Sequence, residues 1–305
     1  MTQTVLRPDP AATRPTEWSS WHLHLASDAR SVQDRVIQEV IRPVTADLDG
    51  RPWFFMRFWQ AGTHLRFRVG DLDAEAYRRV EEALRDRLAE AGRLADDEEP
   101  LDEAGYRAGA VTFAATERGA DRQVRDLMPP GVHRAVYEPE HLRYGGWSLM
   151  PATERLFQLS SELVVAVLPS RPSEGLRTGL GLRGTIAAAA ALGGPERQAE
   201  FYRRSMDAWR VWAGHSGTTP EQLAAICAVD ATGPVPDPDA HGPFRRWHAA
   251  IAELAEQIAA SGDTPPAQIL FSHVHMLHNR LGRSLFEELR TYAWLAAAYP
   301  DGNPS

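Results

Sequence analysis

Apolar and polar positions alternate along Trp21-His22-Leu23-His24-Leu25, the period of a half-buried strand. The pattern then shifts to intervals of three and four. Val32, Val36, Ile37, Val40 and Ile41 share one stripe, which predicts a helix from Ser31 to about Leu48, with Asp28 or Ser31 as its cap. Pro43 lies inside that span and is expected to kink or end it, because proline lacks an amide hydrogen and crowds the carbonyl one turn back. Asp49-Gly50 is a turn signal. Trp53 to Trp59 is a strand-forming run, and His64 to Val69 alternates again. With Gln60-Ala61-Gly62-Thr63 between them, these two runs predict a β-hairpin.

Asp73 opens a charged helix that runs to about Gly92, with Val80, Leu84 and Leu88 on one side. Residues 93–131 have the weakest periodicity and contain the acidic run Asp96-Asp97-Glu98-Glu99, so a solvated loop insertion is expected there. Val132 to Glu138 reads as another strand. From Pro151 onward the pattern is helical: Pro151 to Leu168, then about 176–192, 196–214, 220–229, 245–260, 265–281 and 284–298. Gly233 to Pro238 reads as a loop. Strands in the first half followed by helices in the second predict an α+β fold, an antiparallel sheet packed with a mostly helical C-terminal half. Residues 1–17, rich in Pro, Thr and Ala, are expected to form a loose arm, and residues 18–305 a single domain.

Composition narrows the function. The lone Cys227 excludes an internal disulfide framework and cysteine-cluster metal sites, and suits a reducing cytoplasm. The N-terminus has no signal-peptide pattern, and no apolar run approaches the length of a membrane span. All 33 basic residues are arginine, against 41 acidic ones, for a net charge of −8. That balance argues against non-specific nucleic-acid binding, which depends on excess positive charge. No dinucleotide-binding or P-loop glycine pattern is present, and no HExxH or GxSxG motif.

Three segments carry residues suited to chemistry. Period-2 geometry puts His64, Arg66 and Arg68 on one strand face. Such a face either meets water or holds an anion, and Arg57 on the partner strand adds to the second reading. Several arginines suit a ligand with more than one carboxylate, since each guanidinium can grip one in a bidentate fork. Next, Arg143-Tyr144-Gly145-Gly146 follows an apparent strand, where glycines allow a tight turn or a close approach of backbone to ligand. Third, a helix carries His273, His275, His278 and Asn279. His275 and Asn279 share a face, whereas His273 and His275 are about 200° apart and cannot both ligate one metal. His22 and His24 share a strand face but have no evident third ligand, so neither a metal nor a cofactor is expected.

In order, Trp53-Phe54-Phe55-Met56-Arg57-Phe58-Trp59, His64-Leu65-Arg66-Phe67-Arg68, Tyr137-Glu138-Pro139-Glu140, Arg143-Tyr144-Gly145-Gly146 and His275-Met276 with Asn279-Arg280-Leu281-Gly282 resemble the thiopeptide-type bacteriocin biosynthesis family. That family is similar to the C-terminal glutamate-elimination domain of class I lantibiotic dehydratases. The resemblance covers roughly Trp18 to Tyr299. It implies an enzyme that expels glutamate from glutamylated Ser or Thr of a ribosomally made precursor peptide, leaving dehydroalanine or dehydrobutyrine. It also implies a separate partner for the tRNA-dependent glutamylation. By the same resemblance Arg66, Arg68, Arg143 and His275 match the residues that bind the glutamate and move the proton. Arg57, His64, Tyr144 and Asn279, within the same motifs, are expected substrate contacts, and a homodimer is a possible assembly. A diverged branch of the fold instead performs a formal aza-[4+2] cycloaddition that builds a pyridine-type ring and releases the leader peptide. A non-catalytic peptide-binding scaffold is the third reading. Two features depart from the elimination pattern: the insertion at 93–131, and Leu277 where many relatives have a second histidine, with His278 one place further on.

Overall fold

The computed structural model describes residues 16–116, 123–232, 244–261 and 264–300. Four strands, β1 (Trp18–His24), β2 (Trp53–Phe58), β3 (His64–Gly70) and β4 (Gly131–Ala135), form an antiparallel sheet in the order β2-β3-β1-β4. The hairpin and the two other strands expected from the sequence are present, the last ending at Ala135 rather than Glu138, and the α+β class holds. Residues 1–15 of the expected arm lie outside the described residues, as does the expected loop at Gly233 to Pro238.

The pleat sorts the sheet into two faces. Trp21, Leu23, Trp53, Phe55, Leu65, Phe67 and Val69 point to one side and are almost wholly buried. This side is covered by α1 (Arg30–Val36), the π-helical segment Ile37–Ile41, α2 (Arg42–Ala46) and α3 (Ala74–Ala91). Trp21 anchors α3 by stacking near Tyr77, ring centroids 4.9 Å apart, and by donating Nε1–H to the buried Glu81. Pro43 does not end the helical run: a π-helical turn precedes it, and the chain stays helical to Ala46.

The insertion is more ordered than its sequence suggests. It contains α4 (Glu103–Thr116), and within its acidic run Glu98 takes a two-pronged bond from Arg35, at 2.5 and 2.8 Å. The helical half consists of α5 (Met150–Val167), α6 (Glu174–Ala190), α7 (Pro195–His215), α8 (Pro220–Cys227), α9 (Phe244–Ser261), α10 (Pro266–Arg280) and α11 (Leu285–Ala298). It docks on the free edge of β2 through side chains. Ser161 of α5 accepts from the Phe55 amide at 3.1 Å, and Asn279 of α10 brackets Arg57, accepting from its amide and donating to its carbonyl, both at 2.9 Å. An edge that would otherwise expose unpaired backbone groups is thereby closed.

Candidate active site

The second face of the sheet carries the imidazoles of β1 and β3 together with Arg66 and Arg68. Register pairs His24 with His64 and Ser20 with Arg68 across β1 and β3, His22 with Arg66 between them, and His22 with His133 of β4. Arg66 lies between two kinds of surroundings. Its guanidinium carbon is 3.4 Å from the centroid of the Phe58 ring, a cation–π contact, and its Nε donates to His64 Nε2 at 3.4 Å.

On one side of Arg66 is a set of imidazoles. His64 stacks on His24 at 4.3 Å and on His22 at 4.7 Å. All three are held neutral: burial and the neighbouring cations lower the pKa of His22 to about 3, and burial with His133 lowers that of His24 to about 4. His64, nearly sealed from water, falls to about 2, chiefly through burial.

On the other side are buried arginines among aromatic rings. Arg68 is only 6% exposed, lies 4.5 Å from the Tyr137 ring and 5.2 Å from Phe54, and has no hydrogen-bond partner at Nε. Burial lowers its pKa to about 10, opposed through space by Tyr137, Glu140 and Glu154. Burial raises the Glu154 carboxyl above its usual range. Arg143 donates to Ser272 of α10 and to Glu140, and Arg68 and Arg143 both act electrostatically on the buried Tyr144, whose pKa burial pushes up to about 12. Arg280 stands 4.9 Å from the Phe157 ring and bonds Ser161, its pKa lowered by burial to about 9. Arg66 acts through space on Arg68, and Arg68 and Arg143 are linked through the Tyr144 ring on which both act.

His275 lies one turn after Ser272 on the same side of α10. Its Nδ1 donates to Glu288 of α11 at 2.9 Å, and its ring packs 5.1 Å from Trp209 of α7. Glu288 is 1% exposed. Burial pushes its carboxyl up, but His275 and His278 outweigh that effect and hold it below the usual range. A carboxylate on Nδ1 fixes the tautomer and leaves the Nε2 lone pair available as a base. Of the other two histidines of α10, His273 is buried against Tyr144 and Phe157, within electrostatic reach of Arg280 and Arg143, and its Nε2 has no hydrogen-bond partner; His278 contacts Thr185 and Arg283 on another side. Burial lowers both to about 3.

Two expected substrate contacts are placed elsewhere. Arg57 pairs with Leu65, which puts it on the opposite face of the sheet from Arg66 and Arg68. There it bonds Asp34 of α1 at 2.6 Å, Gln33 and the Arg280 carbonyl, and Asp34 also binds Arg177 of α6. Asn279 spends its amide on the β2 edge. His64 shares the strand face of Arg66 and Arg68, and Tyr144 lies in electrostatic reach of Arg68 and Arg143, at 2% and 3% exposure. Arg280, Glu154 and Glu288 were not singled out from the sequence; only Arg280 lay within a quoted motif. His64 also supplies the third imidazole beside His22 and His24.

The family model for the lantibiotic biosynthesis dehydratase C-terminal domain matches residues 18–299. Among solved structures, the chain is similar to a pyridine synthase from thiomuracin biosynthesis, TbtD, with a TM-score of 0.67 and 20% identity over 93% of this chain and 98% of that one. It is similar to the tRNA-dependent lantibiotic dehydratase MibB from Microbispora sp. 107891, with a TM-score of 0.58 and 18% identity over 97% of this chain and 29% of that one. It is also similar to TsrL, with a TM-score of 0.57 and 14% identity over 94% and 95% of the two chains. No curated protein matches the sequence.

Proposed function

The chain belongs to the family of lantibiotic dehydratase C-terminal domains, and from that premise we propose that it eliminates glutamate from glutamylated Ser or Thr residues of a ribosomally made precursor peptide. The observation that carries this reading is the buried Arg68, whose Nε has no partner, beside Arg66 on the same strand face and in electrostatic reach of the Tyr144 ring that Arg143 also acts on. A buried guanidinium with an unpartnered Nε–H is suited to an anion brought in by substrate. Glutamate leaving as a carboxylate, with its side-chain carboxylate still attached, offers two.

In this reading the Nε2 of His275, oriented by Glu288, takes the Cα proton. The Cα–H electrons form the Cα=Cβ bond as the Cβ–O bond breaks, and the electron pair leaves with glutamate into the arginines. With its acidic charge, the chain leaves glutamyl-tRNA to a partner, and a gel shift at physiological salt is expected to show no tight binding.

A second reading, cycloaddition with release of the leader peptide, is supported by the likeness to the pyridine synthase over nearly the full length of both chains. The neutral imidazoles and Phe58 would suit flat azole rings. Mass spectrometry decides between the two. Loss of glutamate from a glutamylated precursor with the leader still attached supports elimination. Loss of the leader from an already dehydrated peptide, without turnover of the glutamylated one, replaces it with cycloaddition.

A further inference from the structure

We propose that His22, His24 and His64 form a three-histidine site for a borderline divalent metal ion of the Zn²⁺ class, with a fourth position open to water or substrate. The three side chains come from two strands 40 residues apart in sequence (64 − 24), brought side by side by the β1–β3 register. One ligand atom from each lies within 4.8 Å of the other two. A tetrahedral Zn²⁺ with bonds of 2.0–2.1 Å requires nitrogens roughly 3.3 Å apart, so the stacked rings must close by up to about 1.5 Å.

Two details of the donors favour a ligand over a simple stack. His24 is 3% exposed, and its Nδ1 is buried without any hydrogen-bond partner. Such an orphan costs about 1–3 kcal/mol unless something satisfies it. His64 Nδ1 donates to the Gly62 carbonyl at 2.8 Å, so its Nε2 carries the lone pair; that lone pair now accepts from Arg66 Nε at a long 3.4 Å, a contact that a bound ion would displace. The bond from Nδ1 is the carbonyl-oriented arrangement typical of metal-bound imidazoles. His22 is only half-buried and provides the way in. The neighbouring His133 is less suited, because its Nε2 is occupied by the Pro129 carbonyl at 2.9 Å. With three neutral donors, and with Arg66 touching His64, the bound ion would keep its full charge and draw an anionic fourth ligand, hydroxide or carboxylate.

The test uses tag-free, chelator-treated full-length protein titrated with Zn²⁺ by calorimetry, and with Co²⁺ by visible absorption. One ion per chain with an intense tetrahedral Co²⁺ spectrum is expected. His22→Ala and His64→Ala should each weaken binding by more than about 100-fold, beyond the 10–100-fold of a lost outer-shell partner. Arg66→Gln, which removes a positive charge beside the ion, should tighten binding. Circular dichroism checks that each variant folds. If His64→Ala does not fold, the half-buried His22 decides alone. Absence of stoichiometric uptake, or uptake unchanged in His22→Ala, overturns the proposal and leaves the three rings as a neutral stack.

Discussion

Lowering the pH from 7.5 to 5.5 is expected to remove most of the folding stability. His24, His64, His273 and His278 are each no more than 3% exposed, and burial lowers their folded pKa values to about 4, 2, 3 and 3. Unfolded, each returns to 6.5. The unfolded chain thus binds more protons than the native one across the window between these values. Stability is complete above 6.5 and is lost as pH falls. At pH 5.5 an imidazole that stays neutral in the fold contributes about 1.4 kcal/mol less than at neutral pH, so four together lose about 6 kcal/mol. That is comparable to the 5–15 kcal/mol of an ordinary domain. Glu154 acts in the opposite sense, because its raised carboxyl takes up a proton earlier in the native state. Urea unfolding followed by circular dichroism, with chelator present to keep metal off the histidines, measures the change. A midpoint that drops steeply between pH 6.5 and 5.5 with an unchanged slope is expected. A loss below about 1 kcal/mol over the two pH units would refute the assignment of these four rings as neutral.

The same contacts make further predictions. Asp34→Ala strands two buried guanidiniums, Arg57 and Arg177, and should cost about 3–5 kcal/mol of stability by urea titration. Arg57→Met should lower stability while leaving the activity of the folded fraction largely intact; normal stability with abolished turnover would instead make Arg57 a substrate contact. Asn279→Ala uncaps the β2 edge and should cost about 1–3 kcal/mol, read by thermal unfolding. His275→Ala should slow glutamate loss by about 10²–10⁴-fold, and Glu288→Gln should slow it in the same direction by less. If Glu288→Gln were indifferent while His275→Ala was severe, the carboxylate would not orient the base.

The sequence exposed local periods well and register poorly. The alternation His64 to Val69 correctly assigned His64, Arg66 and Arg68 to one face, because a period of two needs no knowledge of the partner strand. The expectation that Arg57 on the partner strand adds to an anion site there fails, since which side a residue takes across a hairpin depends on the pairing, and Arg57 pairs with Leu65 while Phe58 pairs with His64. The β1–β3 pairing is not local at all, so His64 could not be seen as the neighbour of His24. The helix α4 was missed because Gly105 and Gly109 weaken its propensity and its alanines mark no sharp apolar stripe. Glu288 lies on an element that carried no motif, and only the packing of α11 against α10 brings it to His275.

The side chains of Ser161 and Asn279 that close the β2 edge also give the sheet a direction of growth. Among the described residues, no strand pairs with the far side of β4. Any extended segment that joins this sheet, whether a peptide or the chance partner of a half-folded copy, must therefore extend it beyond Gly131–Ala135. The strand there is only five residues long, and Arg134 on it is tied to Glu81. Shortness and charge are the usual means of discouraging uncontrolled strand addition. The opposite flank needs neither, because two helices have already taken up its backbone.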